Sequence, residues 1–581
     1  MRVASRLALV VAAVGALVPR PAAQTTAAEP FDLLVVNGRV VDGSGAPWFV
    51  ADVAVRGDRI GAIGRLSGAT ARLTIDATGL VVAPGFVDPH VHARERLFDL
   101  PTAEGYLLQG LTTVVDGNDG SSPLPLAAFL DRVSAARVSP NVAAFVGQGT
   151  VRDAVLGTAN RKATDGEIAT MQALVADAMR DGALGLSTGL AYVPGAYTPT
   201  DEIVALATTA REHGGLYISH MRDEGGGVLD SVRETIAIGE RARIPVQISH
   251  HKVGGRKQFG QSVQSLELIA AARARGVDVT FDQYPYTASQ TGLTLIFPRW
   301  ALADDKLNER LANAGTRKEI RTGMLAFIDE RFGDDPSRIQ LVRCNHDPAL
   351  AGRTIADLLR AAGQPLTQVA TADMVIELQL KGGCSAIFHA YDEPDVERFL
   401  QSPFGMIGSD GSLTRLGDGA PHPRAFGTFP RVLGHYVRER RVLTLEDAVR
   451  KMTSFPAGRL GLQDRGLLRV GLAADITIFD PATIADRSTF TDPHHYPVGV
   501  RHVVVNGQLT VKDGAHLGTR AGRVLRGPAY RGQTPFRAGL DSVYCAPASG
   551  APGARVPPGG GASPRSTQRT SASKAMWTVG M

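Results

Sequence analysis

Between residues 80 and 410 the chain keeps returning to a short apolar run, usually closed by a polar residue, and stretches with helical spacing fall between several of them. The runs are 80–87 "LVVAPGFV", 111–116 "LTTVVD", 141–147 "NVAAFVG", 183–187 "ALGLS", 215–220 "GLYISH", 244–250 "IPVQISH", 277–283 "VDVTFDQ" and 404–410 "FGMIGSD". Parallel strands need long crossover connections, and helices supply them. Eight such units in series predict a (β/α)8 TIM-type barrel, an α/β fold that keeps its chemistry at the C-terminal ends of its strands. The stretch 164–182 shows the helical grammar. Thr164 and Asp165 are capping candidates, Ile168, Met171, Val175 and Met179 carry the apolar spacing, and Gly182 is the stop. The interval of about 290–400 is too long for one connection and predicts a small helical insertion before the last barrel strand.

The text flanking the barrel is different. Residues 31–80 read as short alternating strands broken by the turn dipeptides Asn37-Gly38 and Asp42-Gly43. Similar text returns as 474–484 "ADITIFDPATI" and 500–514 "VRHVVVNGQLTVKDG". The likeness of "VVNGRVVDG" to "VVNGQLTVKDG" predicts one small β-sandwich made from both chain ends, 31–80 with 465–529, around a barrel of residues 81–464. At the start, basic "MRVASR", apolar "LALVVAAVGALV" and small, polar "PRPAAQTTAAEP" have the layout of a secretory signal peptide over 1–28. Its apolar run is too short to cross about 30 Å of hydrocarbon comfortably, so export is expected rather than stable membrane insertion. From 530 to 581 Gly, Pro, Ser and Arg dominate, which predicts a disordered tail. Lys and Arg outnumber Asp and Glu by only 62 to 57, with no dense basic run outside the tail, so nucleic acid is not indicated. Cys344, Cys384 and Cys545 show no C-x-x-C spacing, which argues against a disulfide scaffold and against a thiolate zinc knuckle.

The polar residues that close the runs fall into a pattern. His90 and His92 in "PGFVDPHVH" share a face if that run is a strand. Alone, the pair fits a metal grip and a pair of hydrogen-bonded residues equally well. The second run leads into "DGNDG" with Asp116 and Asp119, the fifth closes on His220, the sixth on His250 followed by His251, and the eighth on Asp410. Four histidines and a carboxylate at the same end of different strands predict a divalent metal site. Such a set suits Zn²⁺, and also Mn²⁺, Fe²⁺ or Co²⁺. With a carboxylate to move a proton from water, it outlines a metal-dependent hydrolase. His251, His389, His422, His494 and His495 are assigned supporting or structural roles; strand alternation turns His251 away from the barrel centre.

"PGFVDPHVH", "SHMRDE", "SHHK", "IGSDG", "HPRAFGTFPRVLG" and "DPHHYPVGVRHVVVNG" together resemble the amidohydrolase superfamily and, within it, the D-aminoacylase (N-acyl-D-amino-acid deacylase) family, over about 31–515. The resemblance implies metal-dependent hydrolysis of N-acyl-D-amino acids to a carboxylate and a free D-amino acid. It implies His90, His92 and Asp410 as ligands of one metal position, Asp410 doubling as general acid/base, and His220 and His250 as ligands of the other. Zinc is the expected metal, as one or two ions. The bridging position after "GN" is usually cysteine in this family, and here it is Asp119. The fourth run offers no bridging lysine, so Asp119 is the natural substitute, with turn capping as its alternative role. A harder oxygen ligand there widens the range of metals. For a small-molecule substrate with a carboxylate, the resemblance points to Tyr192 and Lys252 as the grip, with Ser289 and Arg424 supporting them or the pocket wall. Other readings of the same site are a cyclic amidase of hydantoinase or dihydroorotase type, which usually brings the missing lysine, and a D-dipeptidase. A non-catalytic binding protein is opposed by the intact ligand set.

Overall fold

The computed structural model describes residues 29–532, so the expected signal peptide (1–28) and nearly all of the expected tail (533–581) lie outside the described residues. All eight expected strands form: β1 Phe86–Asp88, β2 Leu111–Asp116, β3 over 141–147, β4 Gly185–Gly189, β5 Leu216–His220, β6 Val246–Ile248, β7 Val279–Gln283 and β8 Gly405–Ile407. Every pairing between neighbours is parallel. β3 breaks at Phe145, its first half pairing with β2 and its second with β4. The barrel closes through the extensions of β8 and β1, where Gly411–Ser412 pairs in parallel with Val91–His92. Asp88 Oδ1 reinforces the closure by accepting from the backbone amides of Ser409 at 3.0 Å and His90 at 3.1 Å.

The helices cover the strands as the sequence spacing predicts. α1 (Asp165–Asp181) starts in a Thr164/Glu167 capping box and stops at Gly182, whose φ is 116°. It buries Met171, Val175 and Met179. α2 (Thr200–Glu212), α3 (Val228–Ala242) and α4 (Ser262–Ala274) follow the next strands. Among the described residues no helix is long and apolar enough to cross a membrane.

The first expected run, 80–87, splits at Gly85. Val81–Pro84 belongs to the small sheet, paired with Phe31–Val40 and Ile476–Phe479, and β1 begins only at Phe86. The crossing is too tight for a side chain, since a Cβ at Gly85 would lie 2.2 Å from Thr112 Oγ1. The small sheet draws strands from both chain ends, from Phe31–Val40 to Ala515–His516. Its two "NG" dipeptides differ. Asn506 and Gly507, at φ 47° and 79°, make a two-residue hairpin between Val500–Val505 and Gln508–Lys512. Asn37-Gly38 is not a turn: it is a bulge inside Phe31–Val40, where the register to Phe49–Arg56 shifts between Val35 and Gly38. The Asn37 amide is held there by Asp52 Oδ1 at 3.0 Å and its side chain by Asp76 Oδ1 at 3.1 Å.

Between β7 and β8 the insertion contains the expected helices, chiefly α5 (Ala314–Arg331) and α6 (Gln368–Leu380), around its own apolar core. It also contains a three-stranded antiparallel sheet, Ser289–Gly292, Cys384–Phe388 and Ile339–Cys344, which the sequence reading did not include. A disulfide joins Cys344 to Cys384 across this sheet. No scaffold of disulfides is present among the described residues, but this single bond escaped the reading because spacing carries no pairing information at a separation of 40 residues.

After α7 (Glu393–Gln401), α8 (Leu445–Met452) fixes the start of β8 with a fully buried lysine. Lys451 Nζ donates to the carbonyls of Ser402 and Gly405, the latter at 3.0 Å. Burial lowers the Lys451 pKa to about 8. Below pH 8 folded and unfolded chains both carry this proton. Between pH 8 and the ordinary lysine value near 10.4 only the unfolded chain does, so stability rises with pH across that window. In urea unfolding at pH 7.5 and pH 10, wild type should gain stability relative to Lys451→Met; a constant difference would show that Lys451 titrates normally.

Candidate active site

At the C-terminal end of the barrel five strand ends deliver side chains into one space. His90 and His92 come from the closing segment after β1, Asp119 from the turn after β2, His220 from the last residue of β5, His250 from just beyond β6 and Asp410 from just beyond β8. All six residues expected to hold metal are therefore brought together. Their donor atoms form two groups, each within 4.8 Å: His90, His92, Asp119 and Asp410, and Asp119, His220 and His250. Asp119 is common to both. Its Oδ1 lies 3.5 Å from His90 Nε2, 3.7 Å from His220 Nδ1 and 3.4 Å from His250 Nε2. Its Oδ2 faces His92 Nε2 at 3.5 Å. Asp410 Oδ1 lies 3.0 Å from His92 Nε2 and 3.7 Å from His90 Nε2.

The backbone is bent to achieve this. Asp119, His250 and Asp410 have φ of 54°, 35° and 51°, a left-handed region that costs ordinary residues about 1–3 kcal/mol each. Surrounding hydrogen bonds hold two of them: His250 N donates to Asp282 Oδ1 at 2.8 Å, and Asp410 N to the His90 carbonyl at 2.8 Å. In "DGNDG" the glycines allow close approach, since a Cβ at Gly117 would meet the Phe145 carbonyl at 2.3 Å and one at Gly120 the Gly189 nitrogen at 2.6 Å. Asp116, the other acid of this turn, stands outside both donor groups and accepts from the amides of Ala93 and Arg94 at 2.6 and 2.8 Å. It anchors the chain just after His92.

The electrostatics call for positive charge among the ligands. Burial disfavours a charged Asp119, yet His90 and His250 beside it hold its carboxyl well below the usual range. Burial opposes charge on Asp410 too, and Arg424 and His250 overcome it, so it stays ionised. Burial and Lys252 press His250 downward, but Asp119, Glu224 and Asp410 raise it to about 9. Three buried atoms aimed at this space, His90 Nε2, Asp119 Oδ1 and His220 Nδ1, have no hydrogen-bond partner. Orphaned donor atoms on imidazole and carboxylate, shared through one bridging aspartate, fit a pair of adjacent divalent-metal positions.

The residues expected to bind substrate divide. Tyr192, Lys252 and Ser289 line a chamber of about 250 Å³ that opens beside Asp119 and Asp410. The Lys252 ammonium, however, already donates to Glu224 Oε1 at 2.8 Å and the His250 carbonyl at 2.9 Å, and meets His250 Nδ1 at 2.5 Å. Arg424 does not line the chamber. It sits behind Asp410 and donates to Oδ2 at 2.6 Å, because the helix Arg424–Arg431 begins directly beneath that carboxylate. His251 faces outward as alternation requires, packed on Phe281 and Phe399.

Two supporting acids were not anticipated. Glu224 lies 3.1 Å from His250 Nδ1, and Asp282 3.4 Å from His90 Nδ1 while accepting from Gln247 at 2.6 Å. Second partners of this kind orient metal-binding imidazoles. Their sequence signal was faint: Glu224 closes "SHMRDE" beside an equally plausible Asp223, and Asp282 lies inside an ordinary strand run.

Comparison with known proteins places the chain. The amidohydrolase family model matches residues 73–511. The chain is 41% identical over 520 residues to a D-aminoacylase of Alcaligenes xylosoxydans xylosoxydans, covering 86% of this chain and 98% of that protein. A crystal structure of D-aminoacylase superposes with a TM-score of 0.73 at 40% identity, covering 86% of this chain and all of the other. The N-acyl-D-glutamate deacylase of Bordetella bronchiseptica, solved with zinc and a phosphonate mimic of the tetrahedral intermediate, gives the same TM-score at 36% identity, with the same coverage.

Asp119 is the test of the geometry. Loss of a supporting partner alone costs about 10–100-fold in metal affinity, so Asp119→Ala should lose at least that much, read as metal per chain by elemental analysis after dialysis. Asp119→Cys should retain metal. Full metal in Asp119→Ala would mean that the histidines and Asp410 suffice.

Proposed function

The chain belongs to the amidohydrolase family, and from that premise we propose that it is a zinc-dependent N-acyl-D-amino-acid deacylase, cleaving a linear amide to a carboxylate and a free D-amino acid. The observation that carries the reading is Asp119, one carboxylate shared between two clusters of histidine donors. His90, His92, Asp119 and Asp410 would hold one ion and Asp119, His220 and His250 the other. When bound, zinc supplies Lewis acidity and brings the pKa of water down to about 7.

The protein's own groups do the rest. Asp410 is fixed on one side by Arg424 at 2.6 Å and on the other by His92 at 3.0 Å, with its carboxylate aimed into the chamber. It takes a proton from the attacking water as the new C–O bond forms, and returns it to the amide nitrogen as the C–N bond breaks. Arg424 keeps Asp410 ionised, the form that can accept the proton. Tyr192 and Ser289 receive the substrate α-carboxylate, with Lys252 contributing charge from its place beside Glu224. Glu224 and Asp282 hold the rings of His250 and His90 in their orientation.

Export is part of the same proposal. The N-terminal layout supports it, and so does the Cys344–Cys384 disulfide, a bond that persists in oxidising compartments. Intact mass of the protein from a periplasmic fraction should show loss of roughly the first 22–28 residues and two hydrogens fewer than the reduced chain. A full-length cytosolic product would refute export.

The catalytic assignment predicts that zinc-loaded wild type releases amine from N-acetyl-D-amino acids in preference to L-enantiomers, hydantoins and D-dipeptides. Asp410→Asn should lower kcat by about 10²–10⁴-fold, the usual worth of a general acid/base. Metal content is measured alongside, and activity within a few-fold of wild type would remove Asp410 from the mechanism.

A further inference from the structure

The insertion contributes Leu295, Arg299, Phe327 and Arg331 to the chamber lining. The cations of this chamber are nearly all committed. Arg222 is gripped by Glu234 at 2.9 and 3.0 Å, Lys252 by Glu224 at 2.8 Å, and Arg331 by Asp223 at 2.5 Å with Glu330 at 3.4 Å. Arg299 is the exception: no carboxylate among the described residues comes within 4.0 Å of it. Its guanidinium donates only to the Leu295 carbonyl, at 3.3 Å, which leaves most of its five N–H groups available. The Tyr197 hydroxyl donates to the Arg299 carbonyl at 2.5 Å and pins its backbone. Burial is the main influence on its charge and works against it. The groups acting on it next are Tyr192, Arg331, Asp223 and Tyr197, none of them a metal ligand.

Resting on the deacylase reading above, we propose that Arg299 receives a second carboxylate of the substrate, remote from the scissile amide, and so selects N-acyl-D-amino acids that carry two carboxylates. The α-carboxylate is assigned elsewhere: its carbon is only two bonds from the scissile nitrogen, and Tyr192 and Ser289 receive it beside Asp119 and Asp410. A carboxylate at Arg299 belongs to the far end of the molecule, with its methylenes against Leu295 and Phe327. Guanidinium matches such a group with two parallel N–H donors. That group is either the side chain of an acidic D-amino acid or the end of a dicarboxylic acyl chain.

The experiment compares kcat/KM for two matched pairs on zinc-loaded protein: N-acetyl-D-glutamate against N-acetyl-D-glutamine, and N-succinyl-D-methionine against N-acetyl-D-methionine. Wild type should favour the doubly charged member of one pair by about tenfold or more, and the responding pair identifies the side chain or the acyl group as the source. Arg299→Gln should bring that ratio towards one, and Arg299→Lys should keep part of it. Neutral members turned over as well as charged ones by wild type, or a ratio unchanged in Arg299→Gln, would overturn the proposal while leaving the deacylase intact. No turnover of any of the four would overturn the deacylase itself. If Arg299→Gln does not fold, the wild-type ratios and Arg299→Lys still decide.

Discussion

Everything at the top of the barrel answers to the burial of two carboxylates, Asp119 and Asp410, in one small space. Both approach the same His92 nitrogen, at 3.5 and 3.0 Å, and both are removed from solvent. Isolated buried carboxylates are costly and two together repel, so the arrangement stands only where positive charge is supplied. Arg424 supplies it permanently to Asp410. The imidazoles supply it to Asp119 conditionally: His90, although buried, is drawn well above its ordinary pKa by Asp119, Asp282 and Asp410. A divalent cation would meet the same demand with the histidines neutral, so protons and metal would compete for the same donor atoms.

The same pair explains why barrel closure and catalytic geometry are one structural event. β8 and β1 are joined not along their own lengths but through Gly411–Ser412 and Val91–His92, the stretches flanking Asp410 and His90. Asp88 clamps both sides from below. Any loosening of closure would move the ligands of one metal position apart. The chamber's selective wall, by contrast, is built by the insertion, whose sheet, helices and apolar core are its own. The donor clusters are thus carried by the barrel, while the insertion, with a core of its own, shapes the chamber wall.

The sequence made legible what repeats and what is unusual. Eight apolar runs, six of them closed by polar residues, are a repeated signal, and the barrel followed them closely. The residues of the two donor clusters were legible because histidine and aspartate at several strand ends stand out together. What failed was information carried by partners far away in the chain. "VVNG" reads identically at residues 35–38 and 504–507, yet one copy is a bulge held by Asp52 and Asp76 and the other a hairpin. Arg424, expected to support the substrate grip or the pocket wall, instead pairs with Asp410, 14 residues earlier. Lys252 likewise turned out to be held by Glu224. Pairing of charges, like pairing of Cys344 with Cys384, is settled by the fold.

Aspartate at position 119, where the family pattern has cysteine, follows from local backbone and site chemistry together. The position has φ 54°, a conformation that Asp and Asn tolerate better than most residues with a side chain. Gly117 and Gly120 on either side let the turn press against the backbone at Phe145 and Gly189, so the side chain has little freedom in where it points. A thiolate presents one atom to both clusters, whereas Asp119 presents Oδ1 to His90, His220 and His250 and Oδ2 to His92. Oδ1 thus faces donors of both clusters while Oδ2 adds a second contact to the first, and hard oxygen in place of sulfur weakens the bias toward soft-metal chemistry. An aspartate here would therefore keep one donor residue common to both clusters while shifting preference toward harder ions.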